Sequence, residues 1–396
     1  MSPELQLERM LRYADHVAPR EELVEKVERG RPLRVKLGLD PTAPAVTLGW
    51  AVVLRKLRQF QELGHTAILI VGDFTARVGD PSERGETRRR LSAEEVNGYA
   101  ENVLRQFEKI LLPEPLEIRR NSEWLADMDM AQLLELTSAA TVAQMLERQD
   151  FAKRYSSGEP ISVMEFLYPL LQGFDSVAVE ADIELGGSDQ LWNLMMGRTV
   201  QERYGMAPQV ALTMPLLVGT DGSKKMSQSL RNYIGVEDEP AEMFGKTMSL
   251  PDESMEHWFQ LAADFDPDRV EQIMSDMASG RMHPNEIKRL LARSVVAVYH
   301  GESAGRRAEA EFDQVFKHGG VPDDIEDFSL PDGDPVNLVN LVRDAFAVSG
   351  SEARRLIQQG GVRLDGETLA DSELARAQLA GRVLQVGKRK FVSLID

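Results

Sequence analysis

The segment that most constrains the fold runs from Leu33 to Asp73. LRVKLGLD (Leu33–Asp40) alternates apolar and polar residues and is rich in β-formers, which predicts a strand. Pro41 and Pro44 break it. VVLRKLRQFQELG then places Val53, Leu54, Leu57 and Phe60 on one helical face, and Gly64 stands where a helix C-terminal cap is expected. A second strand, TAILIVGD (Thr66–Asp73), follows at once. Strand, turn, helix and strand in this order form a right-handed crossover between parallel strands, and ligands of such sheets bind beyond the carboxyl ends of the strands. A crossover that binds nothing has the same pattern, so the segment fixes an α/β architecture and leaves its use open.

Alternating helices and short strands continue to about Val218, with helical material inserted around 115–165. We expect a catalytic α/β domain over 1–218 and a mostly helical middle domain over 219–318. An acidic, Gly- and Pro-rich linker is expected over 319–335, and a small α+β module over 336–396. No apolar run reaches the roughly 20 residues that a membrane-spanning helix needs. The N-terminus lacks the basic start and apolar stretch of a signal peptide. The absence of cysteine excludes disulfides and thiolate metal sites. The expected location is therefore the cytoplasm. The formal charge of −18 is unevenly spread: residues 341–396 carry nine Lys/Arg against seven Asp/Glu, a net +2, which leaves −20 on the preceding 340. Phosphate contacts depend on the local footprint, so an acidic body with a mildly basic tail remains compatible with RNA.

Small residues and charges gather at three predicted strand ends. In GLDPTAPAVTLGW (Gly38–Trp50), Gly38 and Gly49 allow close backbone approach, and a helix starting near Gly49 offers unpaired amides to an anion. VGDFTARVGDPSERGETRRR (Val71–Arg90) combines Asp73 and Asp80 with five arginines. IELGGSDQLWN (Ile183–Asn193) puts a glycine pair before Asp189 and Gln190, a common way to hold ribose hydroxyls. A fourth segment, GTDGSKKMSQSLRNYI (Gly219–Ile234), surrounds Lys224 and Lys225 with small polar residues, as in a loop that closes on phosphates. Each segment alone also fits an ordinary turn.

Taken in order, these segments resemble the class I aminoacyl-tRNA synthetases, and within them the tyrosyl enzymes. GLDPTAP matches the first-strand signature, TLGW stands where the family's HIGH motif stands, and KMSQS stands where KMSKS stands. YPLLQGFD (Tyr168–Asp175) followed by GGSDQ matches the amino-acid pocket signature, and the tail SEARRLIQQGGVRLDGE…GRVLQVGKRKF resembles an S4 RNA-binding domain. The resemblance implies a Rossmann-like parallel sheet and a ligase that activates tyrosine with ATP, then passes it to the 3′ end of tRNA(Tyr). It implies ATP as substrate, Mg2+ bound with ATP rather than in a protein metal site, and a homodimer that contacts no membrane.

Residue by residue, the resemblance assigns Tyr168, Gln172 and Asp80 to the substrate ammonium, Asp175 to the phenol, and Lys36 to a position near it. Gly38, Asp40, Gly49, Gly187 and Asp189 would face ATP, and Gln190 the reacting carboxylate region. Thr42, Thr47, Arg84, Arg88 and Lys225 would act on the phosphates. Arg354, Arg355, Lys388, Arg389 and Lys390 would contact RNA. The catalytic motifs depart from the family pattern, since Thr47 and Trp50 replace the histidines of HIGH and Gln228 replaces the second lysine of KMSKS. Two alternatives therefore stand beside the tyrosine ligase: a paralogue activating another amino acid, and a catalytically silent S4-type RNA-binding protein. The six histidines all lie outside the motifs.

Overall fold

The crossover expected at 33–73 forms the centre of a six-stranded sheet in the computed structural model, which describes residues 1–80, 92–317, 325–331, 333–369, 372–387 and 390–395. Its strands are β1 (His16–Ala18), β2 (Arg34–Leu39), β3 (Thr66–Val71), β4 (Leu116–Arg120), β5 (Ile183–Gly187) and β6 (Val210–Met214). Their order is β1-β6-β5-β2-β3-β4, and all pairs are parallel except β1 with β6. From β2 the chain winds outward to β3 and β4, then returns to the other side of β2 for β5 and β6. The switch point therefore lies between β2 and β5, where such sheets hold their ligands.

The register opens this switch point physically. Val35, Lys36 and Leu37 pair with Ile183, Glu184 and Leu185, but Gly38 and Leu39 pair only with β3. Gly186 and Gly187 pair only with β6. Past Leu37 and Leu185 the two central strands part, and the gap becomes a crevice. Gly38 is exposed in the middle of the sheet, and a Cβ there would meet nothing within 4 Å.

The alternation in Leu33–Asp40 predicts one solvated face, whereas β2 is covered on both sides at Val35, Lys36 and Leu37. Parallel strands between two helical layers are buried on both faces. The helix Leu48–Glu62 covers one side with Leu48, Ala51, Val52, Leu54, Leu57 and Phe60. Helices Val163–Ala178 and Leu191–Arg203 pack tightly against each other, since a Cβ at Gly173 would press on Val200 at 2.8 Å.

The helical insertion expected around 115–165 begins with β4 at the sheet edge, and its helices lie between Ser122 and Ser157. The chain divides into compact units Met1–Gly301 and Glu302–Asp396, so the helix Glu302–Lys317, expected in the middle domain, belongs to the second unit. The linker expected at 319–335 contributes a strand instead. Asp327–Ser329 pairs parallel with Lys390–Ile395 and takes the edge position of that sheet. That second unit has a five-stranded sheet and a core built on Leu338, Leu341, Val362, Leu384 and Leu394.

Candidate active site

One wall of the crevice is built from the residues just past β2 and β3. Asp40 Oδ1 accepts from Thr75 Oγ1 at 2.7 Å, and Asp40 Oδ2 accepts from the Tyr168 hydroxyl at 2.9 Å. A Cβ on Gly72 would collide with Asp40 and Thr75, which is why this position takes glycine. Asp73, also at a strand end, does not face the crevice chemistry. It accepts from the Ser122 amide and hydroxyl at 2.9 and 2.8 Å and so holds the start of the Ser122–Leu125 helix.

The floor is a buried polar network under helix Val163–Ala178. Lys36 is fully buried and pairs with the equally buried Glu184 at 3.0 Å. Its ammonium also donates to the Gln172 carbonyl and the Ser176 hydroxyl, each at 2.8 Å. Glu184 further accepts from Gln172 Nε2 at 3.1 Å, from Ser176 and from Gln209. Lys36, expected beside a substrate phenol, thus lies sealed beneath the site and acts on it through charge. The neighbouring carboxyl, Asp175, is only 3% exposed. Burial pushes it up from 3.8 to about 6, while Lys36 and hydrogen bonds from Trp124 and Asn121 hold it down. Trp124 Nε1 donates to it at 2.8 Å and Asn121 Nδ2 at 3.2 Å.

One helical turn earlier, Gln172 gives its amide hydrogens to Glu184 and leaves its Oε1 buried without a donor among the described residues. An acceptor in this state is unfavourable unless a ligand completes it. Across the crevice, Asp80 accepts from Gln190 Nε2 at 3.0 Å and from Arg148 Nη2 at 3.3 Å. Arg148 is buried, pairs also with Asp150, donates to Asn193 and stacks on Phe151 and Trp192. Asn193 in turn donates to Gln190 Oε1 at 3.0 Å. Asp80 and Gln190 are thereby fixed in one orientation.

The end of the crevice past β5 is shaped by glycine and a short loop. A Cβ on Gly187 would meet Leu216 at 2.7 Å and Asp189 at 2.9 Å. Lys225 donates to Asp189 Oδ2 at 3.0 Å, and its side chain is about half exposed. Asp221 organises the loop: the amides of Lys224 and Ser223, then Asn232, bring its carboxyl down to about 2. Gln228, in place of a lysine, donates to the Ala45 carbonyl at 2.7 Å and ties this loop to the one after β2. Met226 Sδ accepts from the Gly49 amide at 3.3 Å, a second tie. Gln106 props the same loop by accepting from the Val46 amide and donating to the Pro44 carbonyl.

Thr42 lies partly exposed at the crevice mouth, with its amide donating to the Asp40 carbonyl. Thr47, expected to touch phosphate, is 3% exposed, and its hydroxyl caps the Leu48–Glu62 helix by accepting from the Trp50 amide at 3.4 Å. The capping bond uses one lone pair and leaves the hydroxyl hydrogen to donate, so it is burial that restricts this side chain. Arg84 and Arg88 lie outside the described residues, as do Lys388 and Arg389. In the second unit Arg354, Arg355 and Lys390 are exposed, with Arg355 held to Glu352 at 2.6 Å.

Arg148, Glu184, Asn121 and Trp124 were not singled out in the sequence. Glu184 and Lys36 were nonetheless legible as opposite charges inside two apolar strands. Asn121 follows the end of β4 and becomes visible once that segment is recognised as a strand. Arg148, in a helical insertion, carries no local signal.

The model for class I tRNA synthetases (W and Y) matches residues 28–317, and the model for the S4 domain matches residues 337–373. A tyrosine--tRNA ligase of Moorella thermoacetica is 50% identical, with 98% of this chain and 95% of that protein covered. One of Thermotoga maritima is 47% identical, covering 99% and 97%. Among solved structures, a tyrosyl-tRNA synthetase from Archaeoglobus fulgidus complexed with L-tyrosine aligns with a TM-score of 0.64 at 24% identity. The alignment covers 78% of this chain and 100% of that one, a likeness of fold.

Proposed function

The chain belongs to the class I tRNA synthetases of the W and Y family, and from that premise we propose that it is a tyrosine--tRNA ligase. It joins tyrosine to AMP at the expense of ATP and then transfers the tyrosyl group to the 3′ end of tRNA(Tyr). The observation that carries this reading is a pair of buried oxygens one turn apart on the same helix. Gln172 Oε1 lacks a donor among the described residues, and Asp175 offers a carboxylate already steadied by Asn121 and Trp124. Tyrosine brings a donor for each: its ammonium near Gln172, Asp80 and Tyr168, and its phenol at Asp175. Phenylalanine would leave the buried Asp175 carboxylate with its Trp124 and Asn121 donors but without the phenol's hydrogen bond, a discrimination for which tyrosyl enzymes are the reference case.

The first step needs no strong base, because the attacking carboxylate of tyrosine is already ionised at neutral pH. It attacks the α-phosphorus of ATP and pyrophosphate leaves, so the site must supply orientation and charge. Gly38 and Gly187 let the nucleotide lie against backbone, Asp189 takes ribose hydroxyls, and Gln190 aligns the reacting carboxylate. Lys225 exchanges Asp189 for phosphate oxygens as the loop closes, joined by Thr42, Arg84 and Arg88. Mg2+ accompanies ATP as the counter-ion of its phosphates. Arg354, Arg355, Lys388, Arg389 and Lys390 take the sugar–phosphate backbone of the tRNA.

The enzyme works in the cytoplasm as a homodimer. No helix among the described residues is long and apolar enough to cross a membrane. Met130, Leu134, Val142 and Tyr155 along the insertion, and Val163 at the start of the next helix, are exposed apolar side chains, the kind of surface a second copy covers.

The test is tyrosine-dependent ATP–pyrophosphate exchange, run beside phenylalanine, tryptophan and 3,4-dihydroxyphenylalanine, followed by tRNA charging. Exchange specific to tyrosine supports the reading. Exchange with another amino acid, or none from folded protein, overturns it.

A further inference from the structure

The helix Leu48–Glu62 starts at the crevice and ends at a separate cavity of about 400 Å3. Arg58 lies nine residues past Gly49, so about 14 Å farther along the axis at the usual helical rise. The cavity is lined by Arg9, Arg12, Arg55, Arg58 and Lys109, against only Glu62 and Asp264 of opposite sign. On a body carrying −20 outside its tail, such a concentration of positive charge has a local cause to be sought.

Most of these cations also hold the fold. Arg12 pairs with Asp264 and Asp266, Arg58 with Glu62, and Lys109 with Glu237. Arg55 donates to the carbonyls of Leu261 and Ala262. What these roles leave over is informative. Arg12 Nε, Arg55 Nε and the Tyr299 hydroxyl are closed to solvent and meet no hydrogen-bond partner among the described residues. The guanidinium atoms can only donate, and the phenol can donate too. Desolvated donors without an acceptor are unfavourable and rare in folded proteins. All three belong to side chains lining the cavity. Beneath the cavity, Lys56 is buried on the carbonyls of Met10 and Arg12, and burial brings its ammonium down to about 7, with Arg12 adding repulsion. An anion above it would relieve that repulsion.

We propose that this cavity binds a phosphoryl group, taken by Arg9, Arg12, Arg55 and Tyr299. A phosphoryl group offers three terminal oxygens and up to two negative charges in a monoester, or two and one in a diester, and its tetrahedral oxygens suit several forked arginines at once. For a ligand in the cavity to meet these three donors, which are closed to solvent in the unliganded chain, Arg12, Arg55 and Tyr299 must turn toward it as it enters. The cavity exceeds the size of a lone phosphate, so the group arrives as part of a larger molecule, either a free phosphorylated solute or the backbone of RNA.

The probe is inorganic phosphate, titrated calorimetrically into the full-length protein at constant ionic strength, with the crevice filled by a non-hydrolysable tyrosyl-adenylate analogue. Tyr299→Phe removes only a hydroxyl that has no partner among the described residues, so the unliganded protein should melt at the same temperature or slightly higher. It should bind phosphate about fivefold more weakly. Arg9→Ala alters an exposed side chain and should weaken binding about threefold, and the double variant by at least about tenfold. Chloride in place of phosphate should give no heat. If the wild type binds no phosphate, or both variants bind it as the wild type does, the proposal fails. The KM for tRNA in charging then separates the sources. A rise in both variants assigns the phosphoryl group to the tRNA backbone, and an unchanged KM beside lost phosphate binding assigns it to a free solute.

Discussion

Replacing Lys36 by methionine tests whether the sealed ion pair sets the chemistry above it. The substitution keeps length and removes one charge from a pair that is 0% and 1% exposed at its two side chains. Breaking such a pair leaves the partner buried and uncompensated, at a cost of about 3–5 kcal/mol. Glu184 would retain donors from Gln172, Ser176 and Gln209, which places the expected loss near the lower end, about 3 kcal/mol. Glu184→Gln added to Lys36→Met removes the stranded charge and should recover about half of that loss. Urea denaturation of the wild type, both single variants and the double variant gives the coupling directly. The functional consequence is separate. Lys36 is the strongest influence holding the Asp175 carboxyl down, so its loss moves that carboxyl upward from about 6. At neutral pH more of the variant would carry a protonated Asp175, and the KM for tyrosine in pyrophosphate exchange should rise and fall back as pH increases. A loss below about 1 kcal/mol together with an unshifted pH profile would refute the argument, because a buried, charge-coupled pair cannot give that result.

Five further outcomes follow from the same geometry. In the wild type, kcat/KM for tyrosine should fall as pH drops through about 6, where Asp175 takes up a proton and stops accepting from the phenol. Stability should move the other way: a carboxyl raised from 3.8 to about 6 favours the folded state when protonated, so its effect is best below pH 3.8, declines between the two values and stays low above. Arg148→Lys keeps a charge but loses the fork that reaches both Asp80 and Asn193, so the KM for tyrosine should rise about tenfold with kcat little changed; steady-state exchange kinetics decide it. Gln228→Ala cuts the tie to Ala45 and should slow adenylate formation about fivefold in single-turnover assays while tyrosine binding holds. Removing 302–396, the whole second compact unit, should abolish tRNA charging and spare pyrophosphate exchange; cutting at 336 instead would strand Asp327–Ser329 without the strand it pairs with.

Local pattern was enough for the crossover at 33–73, because apolar period, Pro41 and Gly64 are read one segment at a time. The order of GLDPTAP, YPLLQGFD, GGSDQ and KMSQS was likewise a property of the chain alone, and it pointed to the family before any strand was paired. Tertiary structure decided which side chains the site can use. Thr47 reads along the chain as one more polar residue of the motif, and only the fold buries it at a helix start, with its hydroxyl accepting from the Trp50 amide. Lys36 looked like one polar position in an alternating strand, and only the pairing of β2 with β5 put Glu184 opposite it and helix Val163–Ala178 over it. Arg148 gained meaning from three partners far apart in sequence, Asp80, Asn193 and Trp192. The reason is the same in each case: periodicity and turn chemistry act between neighbours along the chain, whereas burial, charge pairing and pKa are set by whatever the fold brings within a few ångströms.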